Sequence, residues 1–263
     1  MMNIIRADVY AIVRGKALYI TMGAMLLLHI LVIGVQTTGG VNFSGIEGFA
    51  MEMPDIGFDG LRSAALLYTR TDNTAFFLLP LIVLAAAPIF TFGTVKNDVA
   101  WGICRTKLYL AKLLISVVLC VFMLVFYMGT GMGMATVLNG FGGPVPEGFW
   151  LNMFQVLGAQ LFLLLAMTCV GVFLIFWTKN TAAAISIFIS LWAVPTVVVL
   201  YLHNAGWDVL WLLDFDLFIG VNRLGFLSQL ETRSIVTILS AGAAYIVFTT
   251  LGGIALFRRA EIK

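Results

Sequence analysis

The stretch Phe92–Leu114, FGTVKNDVAWGICRTKLYLAKLL, is a short polar interruption between two of the longest apolar runs of the chain. Against a single acid, Asp98, it carries four basic residues: Lys96, Arg105, Lys107 and Lys112. Basic loops between membrane spans stay on the cytoplasmic side of the membrane. The pattern therefore predicts a cytoplasmic loop between two transmembrane helices, placed where it could meet a cytosolic partner.

The amino-acid composition of the whole chain is that of an integral membrane protein. Hydrophobic residues make up 61% of the chain, charged residues only 11%, and the mean hydropathy is +1.04, whereas soluble domains carry about 25% charged residues. A net charge of +2 is too small to indicate nucleic-acid binding. The cysteines offer no disulfide framework, because Cys120 and Cys169 fall in apolar runs and Cys104 in the basic loop.

The apolar runs predict an all-α membrane protein with six transmembrane helices, forming a single transmembrane domain over residues 1–263. A helix needs about 20 apolar residues to cross the hydrocarbon core of a bilayer. The predicted spans are 17–35, 74–95, 108–138, 151–177, 181–202 and 234–256. Pro80 and Pro88 fall in the second span, where each removes a backbone donor and favours a kink.

Three further segments are expected outside the hydrocarbon core. Residues 1–16 place Ile5, Val9 and Ile12 on one helical face, which predicts an amphipathic helix lying in the membrane interface; a tail that only sets topology is the alternative. Residues 36–73 and 203–233 are expected on the extracellular side. In the second of these, alternating aromatic and acidic residues favour short interfacial helices, with Asp214 and Asp216 as solvated or helix-capping acids.

Charge counting predicts a multi-pass plasma-membrane protein with both termini in the cytoplasm. Four of the fifteen basic residues fall in the outer pieces: Arg62, Arg70, Arg223 and Arg233. The other eleven fall in the cytoplasmic pieces: Arg6, Arg14, Lys16, Lys96, Arg105, Lys107, Lys112, Lys179, Arg258, Arg259 and Lys263. An odd number of spans would place the basic C-terminus outside and lose this agreement.

The motifs that would let this chain perform chemistry by itself are missing from the sequence. A phosphate-binding GxxxxGK[ST] loop is absent, since Gly15-Lys16 is followed by Ala17. His29 and His203 lie far apart and give no metal-ligand spacing. The spans lack the paired carboxylates of a proton relay, which disfavours a secondary transporter. We therefore expect no enzyme activity, no catalytic residue, no metal site, no cofactor, and an interior without buried charge.

An interior of this kind leaves few candidates for a substrate path. His29 lies in the first span, where ionisable side chains are candidates for function; a neutral histidine bonded to a neighbouring carbonyl is the alternative. Gly129 and Gly133 have the GxxxG spacing that lets another helix approach closely. The third span also carries methionines, which suit amphipathic cargo or ordinary helix packing equally: Met123, Met128, Met132 and Met134.

Two parts of the chain resemble a known family. The basic stretch reads Thr94-x-Lys96-Asn97, Gly102-x-x-Arg105 and Tyr109-x-x-Lys112, and the last apolar run is followed by Phe257-Arg258-Arg259. The first pattern resembles the segment between the second and third membrane helices of ABC-2 type transporter permeases, and the second resembles the ending of many of these permeases. The resemblance in layout extends over the whole chain, including the interfacial helices expected between the last two spans.

The resemblance implies that the basic stretch is a coupling helix seated in a groove of a separate ATP-binding subunit. The residues implied at that interface are Lys96, Asn97, Asp98, Trp101, Arg105 and Lys107. The chain would then be the permease subunit of an ATP-binding cassette exporter, surrounded by membrane lipid and paired with a second, identical or related permease subunit. ATP and Mg²⁺ would be held by the partner subunits.

Small permeases of this appearance occur in bacterial peptide or antimicrobial export and in self-immunity, so the resemblance implies a hydrophobic or amphipathic cargo, such as a peptide, and a role in antimicrobial resistance. Two alternatives stay open from the residues alone. The basic residues could serve only to set topology, or the chain could be a non-transporting scaffold or sensor whose basic loop recruits a cytosolic protein.

Overall fold

The computed structural model describes residues 2–34, 59–95, 100–227 and 230–259, without the side chains of residues 2, 3, 32–34 and 259. Helices are the regular elements of these ranges, and no strand occurs in them. The α-helices are α1 (Met2–Arg14), α2 (Lys16–Gly34), α3 (Gly60–Thr69), α4 (Thr74–Ala86), α5 (Pro88–Thr91), α6 (Arg105–Asn139), α7 (Phe149–Thr178), α8 (Thr181–Asn204), α9 (Leu217–Leu224) and α10 (Thr232–Arg259). Short 3-10 helices cover Thr71–Asn73 and Leu210–Phe215.

Four of these helices, α6, α7, α8 and α10, are each long and apolar enough to cross a membrane. Helices α1 and α2 together could provide a fifth crossing, although they are bent by 56° at Gly15. The helical content and the long apolar helices confirm an all-α, multi-pass membrane protein. The bounds of α2, α6, α7, α8 and α10 lie within three residues of the corresponding predicted spans.

The predicted second span, 74–95, is divided into two helices in the structure. Helix α4 has 13 residues and α5 only 4, both shorter than the roughly 20 residues that cross a bilayer. Pro88 begins α5, and because proline has no backbone N–H it cannot continue the hydrogen-bond ladder of α4. A set of six spans therefore stays a prediction.

Helix α7 is the centre of the bundle. In its most apolar window 67% of the residues are buried, compared with 28% for α8 and 17% for α10. Helices α4, α6, α8, α9 and α10 all pack against α7. The outward faces of α8 and α10 are apolar, which suits contact with lipid chains.

Helix α1 packs on the bundle through only part of the predicted apolar face. Ile12 is buried and Ile5 is half-buried against the core, but Val9 is 43% exposed. Asp8 provides the reason, because its carboxylate pairs with Lys112 of α6 and turns that side of α1 inward. The predicted stripe of Ile5, Val9 and Ile12 is therefore divided between the bundle and the exposed surface.

Among the glycines of α6, Gly131 is the one that allows close packing. A Cβ added there would lie 3.1 Å from Nε2 of His29 and would overlap the Leu67 side chain. At Gly129 and Gly133 an added Cβ would meet nothing within 4 Å in the described ranges. The predicted GxxxG contact is thus wrong within this part of the chain, because Gly131 lies about 200° around the helix from each of the other two.

Contacts between distant parts of the chain define two ends of the bundle. At the end that we call the basic end, Arg105 at the start of α6 contacts Arg258 at the end of α10. At the opposite end, backbone hydrogen bonds join the start of α3 to the turn after α6, from Gly60 N to Gly140 O at 3.0 Å. The described parts of the two predicted outer segments both lie at this opposite end, where Gln160 of α7 contacts α3 and α9.

Candidate functional site: the basic end and a lateral cavity

The segment 92–104 connects α5 to α6 at the basic end and is anchored on both sides. Val95 is 6% exposed and Ile103 packs against the same core. Gly93 and Gly102 have φ values of 64° and 75°, in the left-handed region that glycine enters without a steric cost. The chain can therefore turn sharply at each side of the segment while its apolar anchors stay buried.

Trp101, a member of the predicted partner interface, has 87% of its surface accessible. Lys107, in the first turn of α6, is also exposed. Arg105 is half-buried, and its Nη1 donates a hydrogen bond to the carbonyl oxygen of Arg258 at 3.1 Å. The structure thus presents Trp101 and Lys107 on the surface and uses Arg105 to hold α6 against α10. The other three predicted interface residues lie outside the described ranges: Lys96, Asn97 and Asp98.

Cys104 immediately precedes α6 and is exposed, whereas Cys120 and Cys169 are buried. The backbone N–H groups of Thr106 and Lys107, at the start of the helix, lower the pKa of the Cys104 thiol. A lower thiol pKa increases the thiolate fraction at neutral pH, and the thiolate is the reactive form. Cys104 is therefore a natural labelling position within the segment.

A cluster of four aromatic rings lies at the basic end of the bundle. The ring of Phe176 is at the centre, with centroids 5.1 Å from Phe90, 4.9 Å from Tyr109 and 4.9 Å from Phe257. All three pairs are edge-to-face, the geometry that the ring quadrupole favours. Because the rings come from α5, α6, α7 and α10, this aromatic cluster links four helices at the basic end.

Gly253 of α10 lets Tyr109 enter this cluster. The tyrosine hydroxyl donates a hydrogen bond to the carbonyl oxygen of Thr249 at 3.2 Å. A Cβ on Gly253 would overlap the tyrosine ring, while a Cβ on the adjacent Gly252 would lie 3.4 Å from the Phe173 ring, an ordinary contact. The close approach of α6 and α10 therefore depends on Gly253.

We expect Gly253→Ala to lower the free energy of unfolding by about 1–2 kcal/mol, because overpacking at a buried rigid ring exceeds the helix-propensity gain of alanine. Gly252→Ala is the matched control and is expected to be neutral or slightly stabilising. Thermal or chemical unfolding of the purified chain in detergent measures both. Equal effects of the two variants would show that Tyr109 can move aside at little cost.

A buried ion pair connects α1 to α6. Lys112 is only 5% exposed, and its Nζ lies 2.8 Å from Oδ1 of Asp8. The sequence interpretation of an interior without buried charge is therefore wrong at this position. Lys112 was assigned to the cytoplasmic loop by its charge, but α6 begins seven residues earlier at Arg105, and α1 covers the lysine with its own acid.

The predicted substrate-path residues are packed inside the bundle. His29 is 2% exposed; its Nδ1 lies 3.2 Å from Oγ1 of Thr130, and its ring centroid lies 4.9 Å from that of Tyr127. The histidine thus joins α2 to α6 through a hydroxyl rather than the predicted carbonyl. The methionines pack in α6 without lining the cavity described next: Met123 is fully buried, and Met128 and Met132 are half-buried.

A cavity of about 360 Å³ lies between α4, α7, α8 and α9, and we call it the lateral cavity. Its wall is mostly apolar, with Phe76, Phe188, Trp192 and Phe218 as its aromatic members. Ile189 and Val197 line the cavity and are also 56% and 65% exposed, respectively. The cavity therefore opens on the side of the bundle. This cavity has no signature in the sequence, because its wall is assembled from four separated segments.

The polar members of the lateral cavity are Asp72, Thr196 and Asn222. Asp72 is 7% exposed, and its carboxyl is hydrogen-bonded to the Asn222 side chain. Burial raises the pKa of Asp72, although the Asn222 hydrogen bond and the charge of Arg70 partly oppose this effect. A carboxyl with a raised pKa in a concave apolar site is a physical marker of a functional position.

Asp216 lies next to the lateral cavity and caps α9. Its Oδ1 accepts hydrogen bonds from the backbone N–H groups of Phe218 at 2.9 Å and Ile219 at 3.3 Å, which confirms the predicted capping role. Thr196, which lines the cavity, donates its hydroxyl to Oδ2 at 2.9 Å. Burial raises the pKa of Asp216, and these hydrogen bonds partly oppose the rise.

Comparison of the chain with models of protein families, with curated proteins and with solved structures found no match. The assignment of a function therefore depends on the sequence motifs and on the geometry of the basic end and the lateral cavity.

Proposed function

We propose that this chain is the membrane-spanning permease subunit of an ABC-2 type exporter, with a separate ATP-binding subunit docked at the basic end. The observation that carries the proposal is the exposure of Trp101, at 87%, in a segment that is anchored on both sides. An exposed tryptophan with an exposed basic residue nearby in sequence, here Lys107, has the chemistry of an interface hot spot. A loop that only sets topology needs its charges but does not need the tryptophan.

The contacts at the basic end provide a route by which a movement of the segment could reach the helices. Arg105 holds α6 to the end of α10, the aromatic cluster joins α5, α6, α7 and α10, and Asp8 joins α1 to α6. Packed interiors respond to displacement as stiff units. A push on the segment from a nucleotide-driven partner would therefore shift these helices together.

In this proposal ATP and Mg²⁺ are held by the ATP-binding subunits, and the chain pairs with a second permease subunit in the bacterial plasma membrane. Both termini and the basic end face the cytoplasm, as the charge count predicts. The cargo is hydrophobic or amphipathic, such as a peptide. The mainly apolar wall of the lateral cavity supports a cargo of this type.

The test is co-purification of the chain, expressed beside its neighbouring genes, followed by measurement of Mg-ATP hydrolysis in the eluate. We expect an ATPase to co-purify, and we expect Trp101→Ala combined with Lys107→Glu to weaken the association by about 10- to 100-fold, as loss of a hot spot does. Lys179→Glu is the matched control, because Lys179 is an exposed basic residue of another predicted cytoplasmic turn. That variant should retain the ATPase.

Three outcomes would contradict the proposal. Labelling of Cys104 by a membrane-impermeant maleimide in intact cells would place the basic end outside, with Cys104→Ser as the control for specificity. Co-purification of a cytosolic protein without ATP hydrolysis would instead favour the scaffold or sensor alternative. Retention of the ATPase by the Trp101 and Lys107 variant would show that the partner docks elsewhere.

A further inference from the structure

The lateral cavity has the size and wall of a small-molecule site. Its volume of about 360 Å³ falls at the lower end of the roughly 300–1,000 Å³ found for ligand pockets. The wall offers rings of Phe76, Phe188 and Trp192 and the small side chain of Ala193 at the exposed side of α8. A cavity of this size accommodates one short apolar chain or one large side chain, and it is too small for a folded peptide.

Two residues that line the cavity each have a buried polar atom without a hydrogen-bond partner in the described part of the chain. Oδ1 of Asp72 is buried and has no hydrogen-bond partner among the described residues. A buried acceptor without a donor costs about 1–3 kcal/mol, so a ligand that donates to this oxygen would recover that cost. Nε1 of Trp192, a residue of the same wall, is also without a hydrogen-bond partner in the described part of the chain.

The charges around the cavity favour a cation. Asp72 lines it, and Asp216 adjoins it through Thr196. Arg70 lies near Asp72, while Arg223 pairs with Asp214. Two acids with one neighbouring arginine leave one negative charge among these described residues. A bound cation would favour the ionised form of the carboxyl that burial disfavours.

We propose that the lateral cavity binds a small amphipathic cation, an amine or guanidinium group on a short apolar chain, with the cationic group at Asp72 and the chain against Phe76, Phe188 and Trp192. As a cargo site it rests on the proposed exporter function. As a binding site, the cavity is supported by the geometry of this chain alone. The ligand enters from the side of the bundle, because Ile189 and Val197 are exposed at the opening.

The test measures equilibrium binding of n-octylamine to the purified chain in lipid nanodiscs, without an ATPase, after subtraction of the signal from empty nanodiscs. The matched probes n-octanol and octanoate keep the chain and change only the head group. Since an alkylamine has a pKa near that of lysine, about 10.4, the amine is cationic at neutral pH. We expect n-octylamine to bind at least tenfold more tightly than either of the other probes.

Asp72→Asn keeps the shape of the side chain and is expected to remove this tenfold preference. Asp208→Asn is the control, because Asp208 is exposed and does not line the cavity. In a second pair, Ala193→Trp fills the opening and should abolish binding of n-octylamine, while Val194→Trp adds the same side chain at an exposed position outside the wall. Secondary structure and monodispersity of each variant establish that it is folded.

Equal binding of n-octylamine and n-octanol, unchanged in Asp72→Asn, would overturn the proposal and identify the cavity as an apolar cleft for lipid chains. Retained binding in Ala193→Trp would place the amine elsewhere. Because no ATPase is present, these results are independent of the co-purification experiment. A chain that binds the amine but recruits no ATPase would separate the cavity from the exporter function.

Discussion

Replacement of Asp8 by leucine is expected to lower the free energy of unfolding by about 3–5 kcal/mol, the cost of breaking one side of a buried ion pair. The lysine that would lose its partner, Lys112, is 5% exposed, and the Asp8 carboxylate lies 2.8 Å from its Nζ. Without that carboxylate, the ammonium group must stay buried uncompensated or displace α1 to reach water. The loss should therefore also weaken the attachment of α1 to α6.

The double replacement Asp8→Leu with Lys112→Met distinguishes the loss of a pair from the loss of packing. It removes both charges and keeps apolar volume, and buried pairs replaced in this way often cost nothing or stabilise. We expect the double variant to recover most of the stability lost by Asp8→Leu. Unfolding of the purified variants in detergent gives the free energies of a double-mutant cycle, from which the coupling free energy between Asp8 and Lys112 is calculated.

A small effect would contradict the burial of this ion pair. Exposed pairs contribute about 0–1 kcal/mol, so a loss of that size in Asp8→Leu would mean that Lys112 reaches water in solution. Asp208→Leu provides the control for removal of an exposed acid, since Asp208 lies on the surface after α8. It should leave the stability nearly unchanged.

Gln160→Leu is the second replacement with a large expected effect. Gln160 is fully buried at the middle of α7, and its Nε2 donates to the carbonyl oxygens of Tyr68 at 2.9 Å and Val221 at 3.1 Å. These bonds connect α7 to the end of α3 and to the middle of α9. Leucine has a similar volume but cannot donate, so it leaves both carbonyls without this donor.

We expect Gln160→Leu to lower the free energy of unfolding by about 1–3 kcal/mol, because the Val221 carbonyl loses this donor while the Tyr68 carbonyl still accepts from the Thr71 hydroxyl at 3.1 Å, and a buried group left unpaired costs about 1–3 kcal/mol. The expected loss of stability is reduced because Oε1 of Gln160 itself has no hydrogen-bond partner in the described ranges, so its removal relieves a penalty. Hydrogen exchange should increase selectively in α3 and α9. Gln155→Leu is the matched control on the same helix, because Gln155 is exposed; equal losses in both variants would mean that the two bonds contribute nothing specific.

Hydropathy and charge located the long helices because each of those signals is local. The bounds of α6 and α7, Arg105–Asn139 and Phe149–Thr178, follow directly from apolar runs bounded by basic residues, glycine and proline. The capping role of Asp216 was also predictable, since an acid before an apolar helical turn is a local pattern. Exposure of Trp101 agrees with the proposed interface but was expected only through the resemblance to ABC-2 permeases.

The sequence by itself determined the membrane class, the helical content and the positions of most long helices, because free-energy costs of burial in lipid apply residue by residue along the chain. Only the tertiary structure decided that Gly131 rather than Gly129 and Gly133 is packed, that Lys112 is buried against Asp8, and that Asp72 lines a cavity. Each of these depends on which face of one helix meets another helix far away in sequence. In a chain whose helices are apolar on nearly every side, the pattern of hydrophobicity does not specify that face, and packing of small and polar side chains selects it.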